Sequence, residues 1–105
     1  SSGGAVIVGD FVSVGHGAIL HGCTIEEHCI VGMGAIVMND VCIGANSIVA
    51  AGSVVHRGTY PANSLIVDTA VARQTTYADH HKILRNAIDY AELVKRMRGV
   101  DGGGA

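Results

Sequence analysis

Short aliphatic residues recur every six positions through the first half of the chain, with one five-residue step between Leu20 and Ile25. The nine aliphatic positions are Val8, Val14, Leu20, Ile25, Val31, Val37, Ile43, Val49 and Val55. Six is not a multiple of the 3.6 residues of a helical turn, so a helix would scatter these residues around its axis. A short strand followed by a corner fits the period, and three such units close one turn of a triangular coil. Nine repeats therefore predict a mainly β fold of about three turns, with each aliphatic side chain pointing inward.

A small or β-branched residue lies four positions after each aliphatic, and glycine often follows the aliphatic directly. This repeat resembles that of the hexapeptide-repeat family over residues 6–65, and the resemblance implies a left-handed parallel β-helix that forms a homotrimer with parallel coil axes. We therefore predict a left-handed β-helix over residues 8–67, after residues 1–7 as a flexible N-terminus or a lead-in to the first turn. The repeat specifies the fold better than the activity, because acyltransferases and carbonic anhydrase-like proteins share it.

A helical pattern follows the coil. Thr76 is a candidate N-cap with Asp79 three residues later, as in a weak capping box. One apolar face at helical spacing comprises Ile83, Ala87, Tyr90, Val94 and Met97. We predict a C-terminal α-helix over residues 76–98 that packs against a coil, and a disordered tail over residues 99–105. The adjacent His80 and His81 point about 100° apart on this helix, so they are a poor metal pair and are expected to be solvated.

Composition narrows the classes of partner. Seven Lys and Arg against nine Asp and Glu, a net charge of -2, argue against nucleic acid or an anionic membrane surface. No apolar run approaches the roughly 20 residues that cross a bilayer, and no signal-peptide pattern opens the sequence. The three cysteines are odd in number and lack a CxxC spacing, which favours reduced thiols in a cytoplasmic protein. Hydrophobic residues make up 49% and charged residues 15%, which indicates surface buried against other subunits.

Two histidines five residues apart, His16 and His21, are the main functional candidates. A corner of the predicted coil separates them, so they belong to different sides of the triangular prism. One chain can hardly bring both onto a single ion, whereas two chains of a trimer can. We therefore predict three equivalent sites between subunits, with zinc as the ion expected for neutral imidazoles. Met33 lies one turn along from His16 and Met38 one turn along from His21, so one wall of the site would be apolar.

Residues 15–37, GHGAILHGCTIEEHCIVGMGAIV, are similar to γ-class carbonic anhydrases and their bacterial relatives. The resemblance implies that His16 and His21 bind zinc across the trimer interface and that a zinc-bound hydroxide attacks carbon dioxide, the reaction of a lyase. The third zinc histidine of that family comes from earlier turns of the coil, with an arginine, an aspartate and a glutamine, and residues 1–7 contain none of these. A catalytic zinc needs three protein ligands. We therefore expect a truncated relative with an incomplete ligand set, weak or undetectable carbon dioxide hydration, and no assigned catalytic residue.

Three other side chains are weaker candidates for a third ligand. His56 shares the column of His21 but lies two turns away, about 9–10 Å at the spacing of neighbouring strands. His28 is expected at an exposed corner. Asp10 lies on another side of the coil from His16, where only a neighbouring chain could use it.

Two other functions fit the same coil. One is a coenzyme A-dependent acyltransferase, in which one histidine acts as general base in a groove between subunits. Such enzymes usually interrupt the coil with an external loop, and residues 8–59 contain no such insertion. The other is a purely structural trimerisation module, whose histidines are polar interface residues bonded to backbone carbonyls. The N-terminal end of the coil, at residues 6–8, also predicts that two trimers stack end to end.

Overall fold

The computed structural model describes residues 4–83 and 85, so most of the predicted helix 76–98 and the whole predicted tail 99–105 lie outside the described residues. The described residues form twelve short β-strands, followed by the start of a helix at residues 77–83. The strands are β1 (Ile7–Val8), β2 (Ser13–Val14), β3 (Ile19–Leu20), β4 (Thr24–Ile25), β5 (Ile30–Val31), β6 (Ile36–Val37), β7 (Val41–Ile43), β8 (Ile48–Val49), β9 (Val54–Val55), β10 (Gly58–Tyr60), β11 (Ser64–Val67) and β12 (Ala70–Gln74). Most strands are two residues long because a corner follows each strand within the six-residue repeat.

The strands form three sheets, which are the three sides of one coil. Sheet A contains β1, β4, β7 and β10 in that order, sheet B contains β2, β5, β8, β11 and β12, and sheet C contains β3, β6 and β9. From β1 to β11, each strand pairs in parallel with the strand one turn along the coil, as Val14 pairs with Val31 and Val31 with Val49. The predicted fold class is therefore confirmed: the chain is a mainly β, parallel β-helix with a C-terminal helix.

The predicted inward aliphatic residues form the core. From the second turn onward the following residues are fully buried: Ile25, Val31, Val37, Ile43, Val49 and Val55. The small side chains of Cys29, Ala35, Ser47 and Ser53 are buried with them. Full burial of each aliphatic side chain is worth roughly 1.5–3 kcal/mol relative to exposure. In the first turn Val8 is 42% and Val14 45% exposed, because in the described residues their strands pair on one side only.

The coil is longer than the nine aliphatic repeats predict. Five residues after Val55 the buried Tyr60 takes the inward position, and Ile66 takes the next one six residues later. Strands β10 and β11 thereby extend sheets A and B, and the coil makes nearly four turns rather than about three. The count of nine aliphatic positions stops short of this step, because an aromatic side chain replaces the aliphatic one. Its hydroxyl donates to the His56 carbonyl at 2.8 Å, so the phenol is accommodated without an unpaired polar group.

The last strand reverses direction and covers one edge of the coil. Strand β12 pairs antiparallel with β11, and the turn between them places Asp68 and Thr69 beside β9, the last strand of sheet C. The Asp68 carboxylate accepts a hydrogen bond from Val54 N at 3.3 Å, and the Thr69 hydroxyl donates to Val54 O at 3.3 Å. These two side chains replace the next strand of sheet C, and they protect an edge that could otherwise pair with another chain.

The predicted capping box is present at the start of the helix. The Thr76 hydroxyl accepts a hydrogen bond from Asp79 N at 3.2 Å, and the Asp79 carboxylate accepts one from Thr76 N at 2.8 Å. Arg73 adds an ion pair with Asp79 at 2.6 Å. No helix among the described residues is long and apolar enough to cross a membrane.

One helix residue also contacts the coil. The expectation that His80 is solvated is wrong, because its Nε2 lies 2.7 Å from the Thr75 hydroxyl. That hydroxyl donates to the Asn46 carbonyl at 3.2 Å. The Thr75 hydroxyl thus lies between the Asn46 carbonyl and the His80 imidazole and contacts both. This chain of hydrogen bonds ties the start of the helix to a corner of the coil.

Candidate functional site: the histidine columns

His16 lies at the corner between sheets B and C, after β2 and before β3. Gly17 turns the chain there with a φ of 71°, and Gly34 N of the next turn donates to His16 O at 2.9 Å. A Cβ on Gly15 would lie 2.7 Å from Met33 N, so this close approach of two turns requires glycine. The imidazole of His16 is therefore exposed on an ordered corner.

His21 directly follows β3, so it lies at the far end of the same turn of sheet C. Its backbone N donates to Val37 O at 2.8 Å. The five-residue step follows, and there Gly22 N donates to the Asn39 side-chain oxygen at 2.8 Å. The five-residue step makes this turn of the coil one residue shorter than the next turn. Gly22 N therefore has a side-chain oxygen as its hydrogen-bond partner. The backbone that carries His21 is therefore held in place on both sides, and its side chain is exposed.

The strand register sets the neighbours of both histidines along the coil. The pairing of β2 with β5 places His16 in one column with Met33 of the next turn. The pairings of β3 with β6 and of β6 with β9 place His21 in a column with Met38 and then His56. The predicted columns are therefore correct. The two thioethers differ, since Met33 is 61% exposed whereas Met38 packs in part against the core.

Within one chain the two histidines lie on different sides of the coil. His16 follows sheet B, His21 follows sheet C, and strand β3 lies between them. Across residues 4–83 and 85, no three His, Cys, Asp or Glu side chains are grouped closely enough to hold a metal ion. The described part of one chain therefore does not fit a catalytic zinc, which needs three protein ligands. The assignment of His16 and His21 as metal ligands stays a prediction about several chains together.

The weaker candidates for a third ligand lie elsewhere on the coil. Asp10 and His28 lie at the corner between sheets A and B. His28 stacks on Phe11 with ring centroids 5.3 Å apart, and its Nδ1 lies 3.8 Å from the Glu27 carboxylate. It is therefore half-buried and engaged rather than free at the corner. His56 is two turns along the column of His21, as predicted.

Sequence reasoning missed a corner built without glycine. The corner between sheets A and B is turned by Phe11 (φ 58°), His28 (φ 57°), Asn46 (φ 59°) and Asn63 (φ 62°). These left-handed values are uncommon outside glycine, and asparagine tolerates them best. The one available signal was the pair of asparagines one coil turn apart. We call these four residues the asparagine corner, and we call Gly17, Gly34 and Gly52, with φ of 71°, 69° and 73°, the glycine corner.

The three outer faces of the coil differ in polarity. The strand residue before each inward aliphatic points outward and is partly exposed. Sheet A presents Ile7, Thr24, Cys42 and Thr59. Sheet B presents Ser13, Ile30, Ile48 and Leu65, and sheet C presents Ile19, Ile36 and Val54. Beyond the first turn, the two sides that carry His16 and His21 are therefore aliphatic, while sheet A carries hydroxyl and thiol groups.

The buried cysteines do not form a reactive site. Burial raises the pKa of the Cys29 thiol to about 11, and burial also raises the pKa of Cys23. Cys29 Sγ donates to Gly44 O at 3.3 Å. A raised thiol pKa keeps these groups protonated at neutral pH, and the thiolate is the reactive form. The three cysteines are free of disulfides.

Several known proteins are similar to this chain in sequence or in structure. The family described as "Bacterial transferase hexapeptide (six repeats)" matches residues 22–57. The chain is 47% identical over 53 residues to "Gamma carbonic anhydrase 2, mitochondrial" of Arabidopsis thaliana, an alignment that covers 50% of this chain and 19% of the relative. It is 42% identical over 100 residues to a Methanocaldococcus jannaschii protein named "Probable carbonic anhydrase", across 92% of this chain and 63% of the relative. A solved hexapeptide transferase family protein from Anaplasma phagocytophilum matches with a TM-score of 0.76 and 29% identity, over 88% of this chain and 61% of that one.

The chain spans less than two thirds of the length of each of these three proteins. The matched repeat coincides with the strands whose aliphatic residues fill the core of the coil. Two of the three proteins carry the name of a carbonic anhydrase. The predicted resemblance is therefore confirmed: the chain is a β-helix that is similar to hexapeptide-repeat proteins and to γ-class carbonic anhydrases.

Proposed function

We propose that the protein works as a homotrimer in which His16 of one copy and His21 of the next form a zinc-binding site between subunits. The observation that carries the proposal is the placement of two exposed imidazoles on adjacent sides of one rigid coil. Strand β3 fixes their separation within a chain, so a shared ion requires a second copy. A cyclic trimer repeats this contact three times and leaves no copy unpaired.

The polarity of the outer faces supports this arrangement. For His16 and His21 to meet, the side of one coil that ends in His16 must pack against the side of another that ends in His21. Those sides are sheets B and C, and their outward residues beyond the first turn are Ile30, Ile48, Leu65, Ile36 and Val54. Sheet A, with Thr24, Cys42 and Thr59 pointing outward, is the side best suited to face water. An apolar contact of this kind is typical of permanent oligomers.

The proposed site is suited to holding a metal more than to a full hydration reaction. Neutral imidazoles are good zinc ligands, and bound zinc supplies a Lewis acid that lowers the pKa of coordinated water. Among the described residues of one chain, no three His, Cys, Asp or Glu side chains are grouped closely enough to hold a metal ion. Met33 and Met38 instead line the neighbouring turn with thioether and alkyl groups. We therefore propose a zinc-binding relative of γ-class carbonic anhydrases that is weakly active or inactive in carbon dioxide hydration.

Zinc binding and molecular mass test the site together. Equilibrium dialysis of the purified chain against zinc, with light scattering of the same sample, should give a trimer that binds one zinc per subunit at saturation. His16→Ala and His21→Ala should each abolish this zinc and leave the trimer intact. His28→Ala is the matched control, because His28 lies at the asparagine corner, and it should bind as much zinc as the unaltered protein. A monomer, or unchanged zinc binding by His16→Ala, would refute the proposal.

Carbon dioxide hydration tests the incomplete ligand set. Stopped-flow measurement with a pH indicator should detect a weak rate or none, even with added zinc. A rapid zinc-dependent rate that His16→Ala abolishes would contradict the proposed inactivity and would require a third ligand.

A coenzyme A-dependent acyltransferase is the second candidate, favoured by the match to the transferase hexapeptide repeat and by the Anaplasma structure. The described coil has no inserted loop between residues 7 and 67, where such enzymes often carry one. Isothermal titration with acetyl-coenzyme A separates the two functions, and we expect no heat of binding. Saturable binding that His16→Ala or His21→Ala weakens would favour acyl transfer. A trimer that binds neither zinc nor acetyl-coenzyme A would leave a purely structural role.

A further inference from the structure

The thioether of Met33 is exposed although the backbone that carries it is held on both sides. Met33 is 61% exposed and lies in the second turn of the coil, between His16 and Ala51 in one column. An added Cβ on Gly15 would lie 2.7 Å from Met33 N, and Gly52 N donates to Met33 O at 2.8 Å. The side chain therefore projects from a fixed position of the glycine corner, with most of its surface uncovered.

The two methionines of the described coil differ in their exposure to a dissolved oxidant. Met38 is partly buried and packs against the core. Met33 has bare neighbours, since an added Cβ on Gly34 or Gly52 would meet no described atom within 4 Å. Hydrogen peroxide transfers one oxygen atom to a thioether, so that the sulfur becomes a sulfoxide and the peroxide is reduced to water. Of these two methionines, Met33 is the one that peroxide reaches first.

The place of Met33 decides what this oxidation does. His16, one turn along the same column, belongs to the proposed contact between copies. The outward residues on either side of Met33 are Ile30 of sheet B and Ile36 of sheet C, and both are aliphatic. A flexible, apolar thioether suits a contact between such faces. A sulfoxide is polar, and its oxygen is costly to bury where no donor reaches it.

We propose that hydrogen peroxide controls assembly through Met33, because the sulfoxide keeps a free copy from joining the trimer. This inference rests on the proposed contact at His16, but it concerns assembly alone and involves no metal. The contact would cover Met33 in the trimer, so peroxide acts on the free copy. Assembly and oxidation therefore compete for the same side chain.

Oxidation at different protein concentrations tests this competition. The full chain is treated with hydrogen peroxide, the peroxide is removed, and peptide mass spectrometry measures the sulfoxide at each methionine. We expect Met33 to be oxidised before Met38 in dilute protein. Its oxidation should slow as the protein concentration rises and the trimer forms, whereas that of Met38 should not change. Light scattering should then show that the chain oxidised at Met33 needs at least about a tenfold higher concentration to form the trimer.

Two variants separate Met33 from the other methionines. Met33→Leu keeps an apolar side chain of similar volume, so it should form the trimer and be insensitive to peroxide. Met38→Leu is the matched control and should lose its trimer on oxidation as the unaltered protein does. Met97 is present in both variants, so its oxidation does not explain a difference between them.

Two different results would mark two different failures. A trimer that persists after full oxidation of Met33, or equal peroxide sensitivity in Met33→Leu, would overturn the inference and leave the proposed trimer standing. A monomer before any peroxide is added would instead refute the proposed trimer itself.

Discussion

Two corners of the coil turn the backbone in the same way with different residues. The glycine corner uses Gly17, Gly34 and Gly52 at φ of 71°, 69° and 73°, and the asparagine corner uses Phe11, His28, Asn46 and Asn63 at φ of 58°, 57°, 59° and 62°. Left-handed backbone costs an ordinary residue roughly 1–2 kcal/mol, so the asparagine corner accepts a cost that the glycine corner avoids. Backbone geometry alone therefore does not explain where glycine is used.

The surroundings of the two corners explain the difference. At the asparagine corner, Thr75 N donates to Asn63 O at 2.8 Å and the Thr75 hydroxyl donates to Asn46 O at 3.2 Å, so this corner receives the start of the helix. At the glycine corner, an added Cβ would meet no described atom of the chain within 4 Å. Within the described chain, therefore, a side chain at this corner would clash with nothing. A second copy packed beside His16 would clash with such a side chain. The use of glycine at this corner is therefore expected if the protein forms the proposed trimer.

The largest predicted effect is a difference in the free energy of unfolding between alanine substitutions at two glycines that lie two residues apart. A Cβ on Gly32 would lie 2.5 Å from Ala51 N, which is backbone and cannot move aside. We expect Gly32→Ala to lower the free energy of unfolding by about 3 kcal/mol. Gly34→Ala meets no atom and carries only the conformational cost, so it should lower that free energy by about 1 kcal/mol. Urea denaturation at one protein concentration measures both, and equal losses would show that the two glycines serve the same purpose.

The second largest predicted effect is on trimer formation rather than on the stability of the fold. Asparagine tolerates the backbone of the glycine corner, so Gly34→Asn adds a side chain there with little strain. We expect it to weaken trimer formation at least about tenfold, about 1.4 kcal/mol. Asn46→Gly, the reverse exchange at the asparagine corner, should leave assembly unchanged. Sedimentation equilibrium over a range of concentrations measures both variants. A trimer as tight in Gly34→Asn as in Asn46→Gly would mean that no copy packs at the glycine corner.

A smaller effect is expected at the junction of the asparagine corner and the helix. Thr75→Val removes the hydroxyl that donates to Asn46 O and forms a hydrogen bond with His80 Nε2. We expect a loss of about 1 kcal/mol in stability. Thr75→Ser keeps the hydroxyl and should retain most of it. Zinc binding should be the same in both variants, because this corner is remote from His16 and His21 in the register of the coil. Reduced zinc binding in Thr75→Val alone would contradict this expectation and would show that the asparagine corner affects the histidine site.

The smallest predicted effect is the loss of helix content at acidic pH. Hydrogen bonds from the Arg73 guanidinium and from Thr76 N hold the pKa of the Asp79 carboxyl well below its usual range. A carboxyl with a lowered folded-state pKa contributes stability above its unfolded pKa of about 3.9, and this contribution is lost as pH falls through the folded value. Helix content from circular dichroism should therefore hold down to about pH 4 in the unaltered chain. In Arg73→Gln the folded pKa of Asp79 lies closer to its unfolded value, so less helix content should be lost below about pH 4, and equal losses would contradict the assigned cause.

The fold was predictable from the sequence because its period is a consequence of geometry. A strand and a corner occupy six residues, so the inward positions of Ile25, Val31 and Ile43 follow from counting. Counting aliphatics alone missed Tyr60, since a phenol can fill the same inward position when its hydroxyl finds a carbonyl. The role of His80 was missed for a related reason, because its partner Thr75 approaches from the coil end and not from the helix pattern.

The candidate site was predictable only in part. The columns of His16 with Met33 and of His21 with Met38 follow from the repeat, and the register contains them. How two coils lie against one another does not follow from one chain's period, because it depends on the shapes of outer faces. The contrast between the aliphatic faces of sheets B and C and the hydroxyl-bearing face of sheet A emerged only once each outward residue was placed.

Mixed trimers test most directly whether the two histidines belong to different copies. His16→Ala and His21→Ala chains are unfolded together in equal amounts, refolded and dialysed against saturating zinc. Each variant alone should bind no zinc, whereas random mixing restores an intact pair at about a quarter of the interfaces. We expect zinc in the mixture at about a quarter of the unaltered level. A mixture as free of zinc as the separate variants would contradict a site shared between copies.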